Sequence, residues 1–177
     1  MAKILTGLPD SARTIVYEMV VAALKADVTL SATIAAPQWT TYLEADGSNR
    51  NTAIEANAYP AIHLLPFGMG ASSETQVRQD APFGIAATIT TAGHDIRDIL
   101  NLWGAVEAAL FTGDGGKALN NGIRAALATA GQARGRFVGS MSTIRLLSPA
   151  IAPSMDSNGS KFMTAAGSIL VELQVPK

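Results

Sequence analysis

Apolar positions change period several times along this chain, and each change marks an element. From Ser11 to about Lys25, Ala12, Val16, Met19, Val20 and Ala23 recur at helical spacing, with Arg13, Glu18 and Lys25 elsewhere on the circumference. A first helix is expected there, capped by Asp10 or Ser11. Residues 27–58 lose any sustained period and collect Pro37, Asp46, Gly47, Ser48, Asn49 and Asn51. They read as a long excursion, at least partly exposed, with a short strand around Trp39 to Leu43. Loops of that length are uncommon unless they are functional, flexible or ordered by a partner.

After Tyr59-Pro60, the run Ala61-Ile62-His63-Leu64-Leu65 is bounded by prolines and predicts a buried strand, followed by a turn at Gly68-Met69-Gly70. Phe83, Ile85, Ala87 and Ile89 then alternate with Gly84, Ala86, Thr88 and Thr90, the period of a second strand. Its start is open as far back as Thr75, with Pro82 marking a bulge or an edge. Past Gly93 the period becomes 3.6, with Ile96, Ile99, Leu100, Trp103, Val106 and Leu110 on one stripe. Asp95 can cap this second helix, and Asp98 lies in its first turn, where the helix dipole favours a negative charge.

Gly113-Asp114-Gly115-Gly116 stops that helix, and Leu119 to Ala130 predicts a shorter third one inside a Gly-flanked insertion, residues 112–136. Two strands are expected at the end, Phe137 to Leu147 and Gly167 to Val175, joined through the polar turn cluster Ser154 to Ser160. The order is α-β-β-α-(α)-β-β. Such an order predicts one α+β domain over residues 1–177, an antiparallel sheet of about four strands with helices packed on one face.

Composition narrows the reading. Of 177 residues 48% are hydrophobic, enough for a real core, while only 15% are charged and 6% aromatic. The resulting surface is smooth and weakly charged, suited to packing against copies of itself. A net charge of -1 removes the broad attraction a dedicated nucleic-acid binder needs, leaving room only for a local basic face. With 0 cysteines, disulfides and thiolate chemistry are excluded. Pro9 and Asp10 interrupt the N-terminal sequence before any run long enough for a signal peptide, and no stretch approaches a membrane span. The cytosol, or a particle assembled there, is the expected compartment.

No catalytic, cofactor-binding or metal-ligating residue is assigned. Gly113 to Ala118 superficially resembles a phosphate loop, but Phe111 stands where the first glycine belongs and Ala118 where Ser or Thr belongs. It also follows a helix rather than a strand, so a helix stop and turn explains it better. His63 and His94 lack a second ligand at metal spacing, and no Gly-x-Ser-x-Gly elbow is present. Helix capping accounts for Asp95 and Asp98 more simply than paired acid–base carboxylates. Trp103 belongs to the core stripe. Trp39, inside the irregular excursion, either folds back onto the domain or anchors a partner. Lys117, Arg124, Arg134 and Arg136 form a local basic excess against Asp114 alone, a solvated surface in a monomer and a positive band if repeated around a ring.

In Tyr59-Pro60-Ala61-Ile62-His63-Leu64, in the alternating strand Phe83 to Thr91, and in Asp95-Ile96 with Leu100, Trp103, Ala109 and Leu110, the chain resembles the tail terminator proteins of long-tailed bacteriophages, also called tail completion or neck proteins. The resemblance spans Ser11 to Val175. It implies a structural virion protein without catalysis: a subunit of a ring, usually a hexamer, in the tail or neck, assembled in the host cytoplasm. Its implied partners are itself, the tail tube protein and the head-tail connector or adaptor, with DNA only passing through the lumen and no membrane. Trp39, Lys117, Arg124, Arg134 and Arg136 are the candidate partner or lumen contacts. Two other classes fit the pattern: a cytosolic ferredoxin-like α+β enzyme or ligand-binding domain, and another phage head-tail adaptor or minor tail protein.

Overall fold

The computed structural model describes residues 10–41, 59–68, 78–111, 113–155 and 159–176. Helix α1 spans Ala12–Ala26. Ser11 caps it, its Oγ accepting from the Thr14 amide at 3.1 Å, and Val16, Val20 and Leu24 are fully buried along one stripe.

The excursion expected over 27–58 is structured in its first part, which corrects that expectation. Asp27 ends α1 and caps a second helix, α2 (Val28–Thr33), its Oδ1 accepting from the Thr29 and Leu30 amides at 2.9 Å each. A 3-10 turn follows at Ala36–Gln38, then a short strand, β1 (Trp39–Thr40). Leu30 and Ile34 are the reason: both are fully buried, and each such side chain contributes about 1.5–3 kcal/mol. Residues 42–58 lie outside the described residues, as do Leu43 in the expected strand and Met69 and Gly70 in the expected turn.

The sheet holds six strands among the described residues rather than about four: β1, β2 (Ala61–Gly68), β3 (Arg78–Asp80), β4 (Phe83–Ala92), β5 (Ser140–Met155) and β6 (Lys161–Pro176). It is not wholly antiparallel, since β1 pairs parallel with β2, Trp39 opposite Ile62. All other pairings are antiparallel: β2 with β4, β4 with β6, β3 with β6 and β5 with β6. Strands β3 and β4 are one file along β6, because Asp80 faces Gln174, the Ala81 amide donates to the Leu173 carbonyl at 2.8 Å, and Phe83 faces Val171 in unbroken register. Pro82, which has no amide hydrogen, separates the two strands.

Helix α3 spans Ile96–Phe111 and α4 Lys117–Arg134. The second is longer than the expected Leu119 to Ala130, ending at Gly135 in the left-handed region (φ 60°), with the Arg136 amide returning to the Gly131 carbonyl at 3.1 Å. The phosphate-loop lookalike is the turn between these helices. Ile96 and Leu100 do not join the buried stripe of α3: they are 53% and 49% exposed, while Ile99, Leu102, Trp103, Val106 and Leu110 are buried.

One face of the sheet carries the core. Ile62 and Leu64 of β2, Phe83, Ile85, Ala87 and Ile89 of β4, and Met163, Ala165, Ile169, Val171 and Leu173 of β6 are all buried. Helices pack on this side; Trp103 of α3 reaches Gly167 of β6, and the Tyr17 hydroxyl of α1 donates to the carbonyls of Leu64, at 2.6 Å, and Thr41. The closing hairpin is far longer than expected. Strand β5 starts at Ser140 rather than Phe137 and continues past Leu147 to Met155, and β6 starts at Lys161 rather than Gly167.

Candidate assembly surfaces

Among the described residues, no helix lies over the opposite face of the sheet. Cross-strand register builds it in rows: Leu65, Ala86, Ser168 and Leu147 lie side by side, as do His63, Thr88, Ala166 and Ala150. A third row runs Phe67, Gly84, Leu170 and Arg145. Leu65 and Leu147, at the two ends of the first row, are 50% and 48% exposed. Small residues and hydroxyls in the central strands keep the middle of this face flat. His63 is half-buried here, and burial lowers its pKa below the ordinary 6.5.

Charge enters this face where Arg145 and Glu172 pair at 2.6 Å, with the Ser142 hydroxyl donating to the same carboxylate at 2.8 Å, and at Asp80, whose Oδ1 accepts from the Gln174 side-chain amide nitrogen at 2.9 Å. The Arg145 and Glu172 side chains are about half exposed, so the pair adds little stability. Beside it a cavity of about 540 Å³ is lined by Asp80, Ser140, Ser142 and Gln174, among others.

Strand β5 forms one edge of the sheet. Its register shifts between Met141 and Ile144 and again between Leu147 and Ala150, and Pro149 and Pro153 lie within it. Irregular, proline-bearing edges resist indiscriminate strand pairing, so this edge suits only a partner shaped to it.

The basic residues named from sequence do not form one patch. Arg124 is exposed but tied to β5, its Nε donating to the Met141 carbonyl at 3.0 Å and its Nη2 to that of Ser142. Arg134 donates to the Asp10 carbonyl at 2.7 Å. Lys117 stands at the opposite end of α4, about 25 Å away by helix rise. What gathers instead is Arg13, Arg134 and Arg136 against Asp10, lining a cavity of about 470 Å³ with Gln79 and Phe137 near the start of α1, three cations to one carboxylate. Arg13 was not among the sequence candidates, because only the fold brings it beside a segment more than a hundred residues later.

Trp39 is buried, 3% exposed, and its Nε1 donates to the Ile34 carbonyl at 3.0 Å. It folds back onto the domain, which settles the choice left open by the sequence and removes it from the partner-contact candidates. Of the two histidines, His94 is exposed, with Nε2 3.1 Å from the Ser154 carbonyl, tying the approach to α3 to the end of β5. Asp95 accepts from the Arg97 amide at 2.9 Å, the capping role expected of it. Asp98 lines a cavity of about 400 Å³ with Thr29, Thr33, Asn101 and Tyr59. No helix among the described residues is long and apolar enough to cross a membrane. No protein-family model matches the chain, and no curated protein matches it.

Proposed function

We propose that this chain is a structural assembly subunit, a ring-forming tail terminator of the long-tailed phage type that caps the tail tube and joins it to the head connector. The observation that supports this reading is the uncovered sheet face, flat through Ala86, Thr88, Ala166 and Ser168 and flanked by half-exposed Leu65 and Leu147. An apolar surface of this extent on a weakly charged protein is stabilised by docking against another subunit. The irregular β5 edge supplies a second contact of defined shape. In a ring these surfaces repeat, and the Arg13, Arg134 and Arg136 groove becomes a positive band, facing either the DNA lumen or an acidic neighbour. The subunit acts in the virion neck after assembly in the host cytoplasm, and performs no catalysis.

Electron microscopy of tail tubes assembled with the purified chain tests this reading. Rings seated on one end of each tube are the expected result. Binding along the whole tube would point to another tail component, and rings that join only the head connector would point to an adaptor. A chain that neither forms rings nor touches the tube overturns the proposal.

A further inference from the structure

The outer face of α3 carries a pattern that the core does not use. Arg97, Leu100, Gly104 and Glu107 are all exposed and recur at spacings of three, four and three, the seam of a two-helix coiled coil. Ile96, 53% exposed, and Ala108 flank it. A solvated helix face needs no Ile and Leu one turn apart, and the described residues leave both bare. A Cβ built on Gly104 meets nothing within 4 Å, so the space above it is open.

The seam is complementary to itself when reversed. If two copies of α3 lie antiparallel about a twofold axis passing between Leu100 and Gly104, each Leu100 comes level with the partner copy's glycine at that position. Each Arg97 comes level with the partner copy's glutamate at position 107. A large side chain meets an open hollow, and a cation meets an anion, twice each by symmetry. Arg97, its side chain 87% exposed, pairs loosely with Asp95, Nε 4.0 Å from the carboxylate, an exposed contact that costs little to exchange for another. Antiparallel helices meeting on such a seam cross at about 20°, which keeps both pairs in reach.

We infer that α3 is a self-docking helix, and that its occupant is the α3 of a second copy of this chain. A twofold contact cannot close a sixfold ring, so this pairing is independent of the ring reading and joins either two free subunits or two rings face to face.

The chain has 0 cysteines, so introduced ones report without background. Leu100→Cys and Gly104→Cys variants are oxidised separately and as an equimolar mixture, then separated on a denaturing gel. The expected result is a disulfide-linked pair in the mixture and little in either variant alone; equal linkage in all three samples overturns the antiparallel register. Light scattering across concentrations then compares the parent with Arg97→Glu and with Arg97→Glu/Glu107→Arg. The single reversal is expected to weaken pairing on the order of ten- to a hundredfold, and the double reversal to restore it. Both changes place charges where the helix dipole favours them, so neither weakens α3 itself. The same pairing strength in all three overturns the inference, as does a parent that shows no pairing. Loss of pairing with six-chain rings retained separates this contact from the ring.

Discussion

The Trp103 indole lies so close to Gly167 that a Cβ added there would stand 2.7 Å from its Cζ2 and 3.0 Å from the Leu147 carbonyl oxygen. Trp103 is 3% exposed and held by the core, and the carbonyl belongs to the neighbouring strand, so neither can withdraw. Gly167→Ala is therefore expected to cost about 1–3 kcal/mol, read as a lower midpoint in urea.

Gly84 supplies the contrast. A Cβ there also strikes an aromatic ring, that of Phe67, but Phe67 lies half-buried on the uncovered face and can swing towards solvent. Gly84→Ala should cost less than about 1 kcal/mol. Equal losses for the two substitutions, measured by the same urea titration, would contradict the assignment of a packed and a bare face.

Tyr17 joins α1 to the sheet through its hydroxyl, shared between the Leu64 and Thr41 carbonyls. Tyr17→Phe keeps the ring but leaves two buried acceptors short of a donor, and should destabilise by about 1–3 kcal/mol without changing the circular dichroism spectrum.

His63 predicts a pH dependence. Its folded pKa is lowered by burial, so just below 6.5 the unfolded chain binds a proton that the folded chain does not. Stability from this residue is therefore complete above pH 6.5 and is lost as pH falls through the folded value. His63→Gln should remove that part of the acid slope, seen by comparing urea midpoints of both proteins at pH 7.5 and 5.5. Because His63 lies on the uncovered face, acid should also weaken any assembly built on that face, and the variant should lose this sensitivity.

Much of the fold was legible where the pattern was periodic. Alternation through Phe83 to Ile89 and the stripes of α1 and α3 identified core elements correctly, because one buried face imposes its period on the residues that fill it. Strand β5 was expected only as far as Leu147; its continuation holds Pro149 and Pro153, which an edge strand tolerates where a central one does not. The beginning of β6, Thr164-Ala165-Ala166-Gly167, hid for another reason. Its small residues carry no hydrophobic contrast, yet they are what let Trp103 approach on one face and keep the other flat. The short strand at Trp39 was expected and is present as β1, but its parallel pairing with β2 depends on tertiary contact, as does burial of Trp39. Of the surfaces, the basic residues of α4 were visible but their grouping was not, since Arg124 bonds to β5 while Arg13 arrives from the other end of the chain.

Assembly through the uncovered sheet face is the central claim, and the mass of the purified chain in solution tests it most directly. Native mass spectrometry should find closed rings, six chains being the expected number, and Leu65→Asp/Leu147→Asp should reduce them to species no larger than a pair while the subunit stays folded. A parent protein that never exceeds two chains at any concentration, alone or with tail tube protein, would contradict the account.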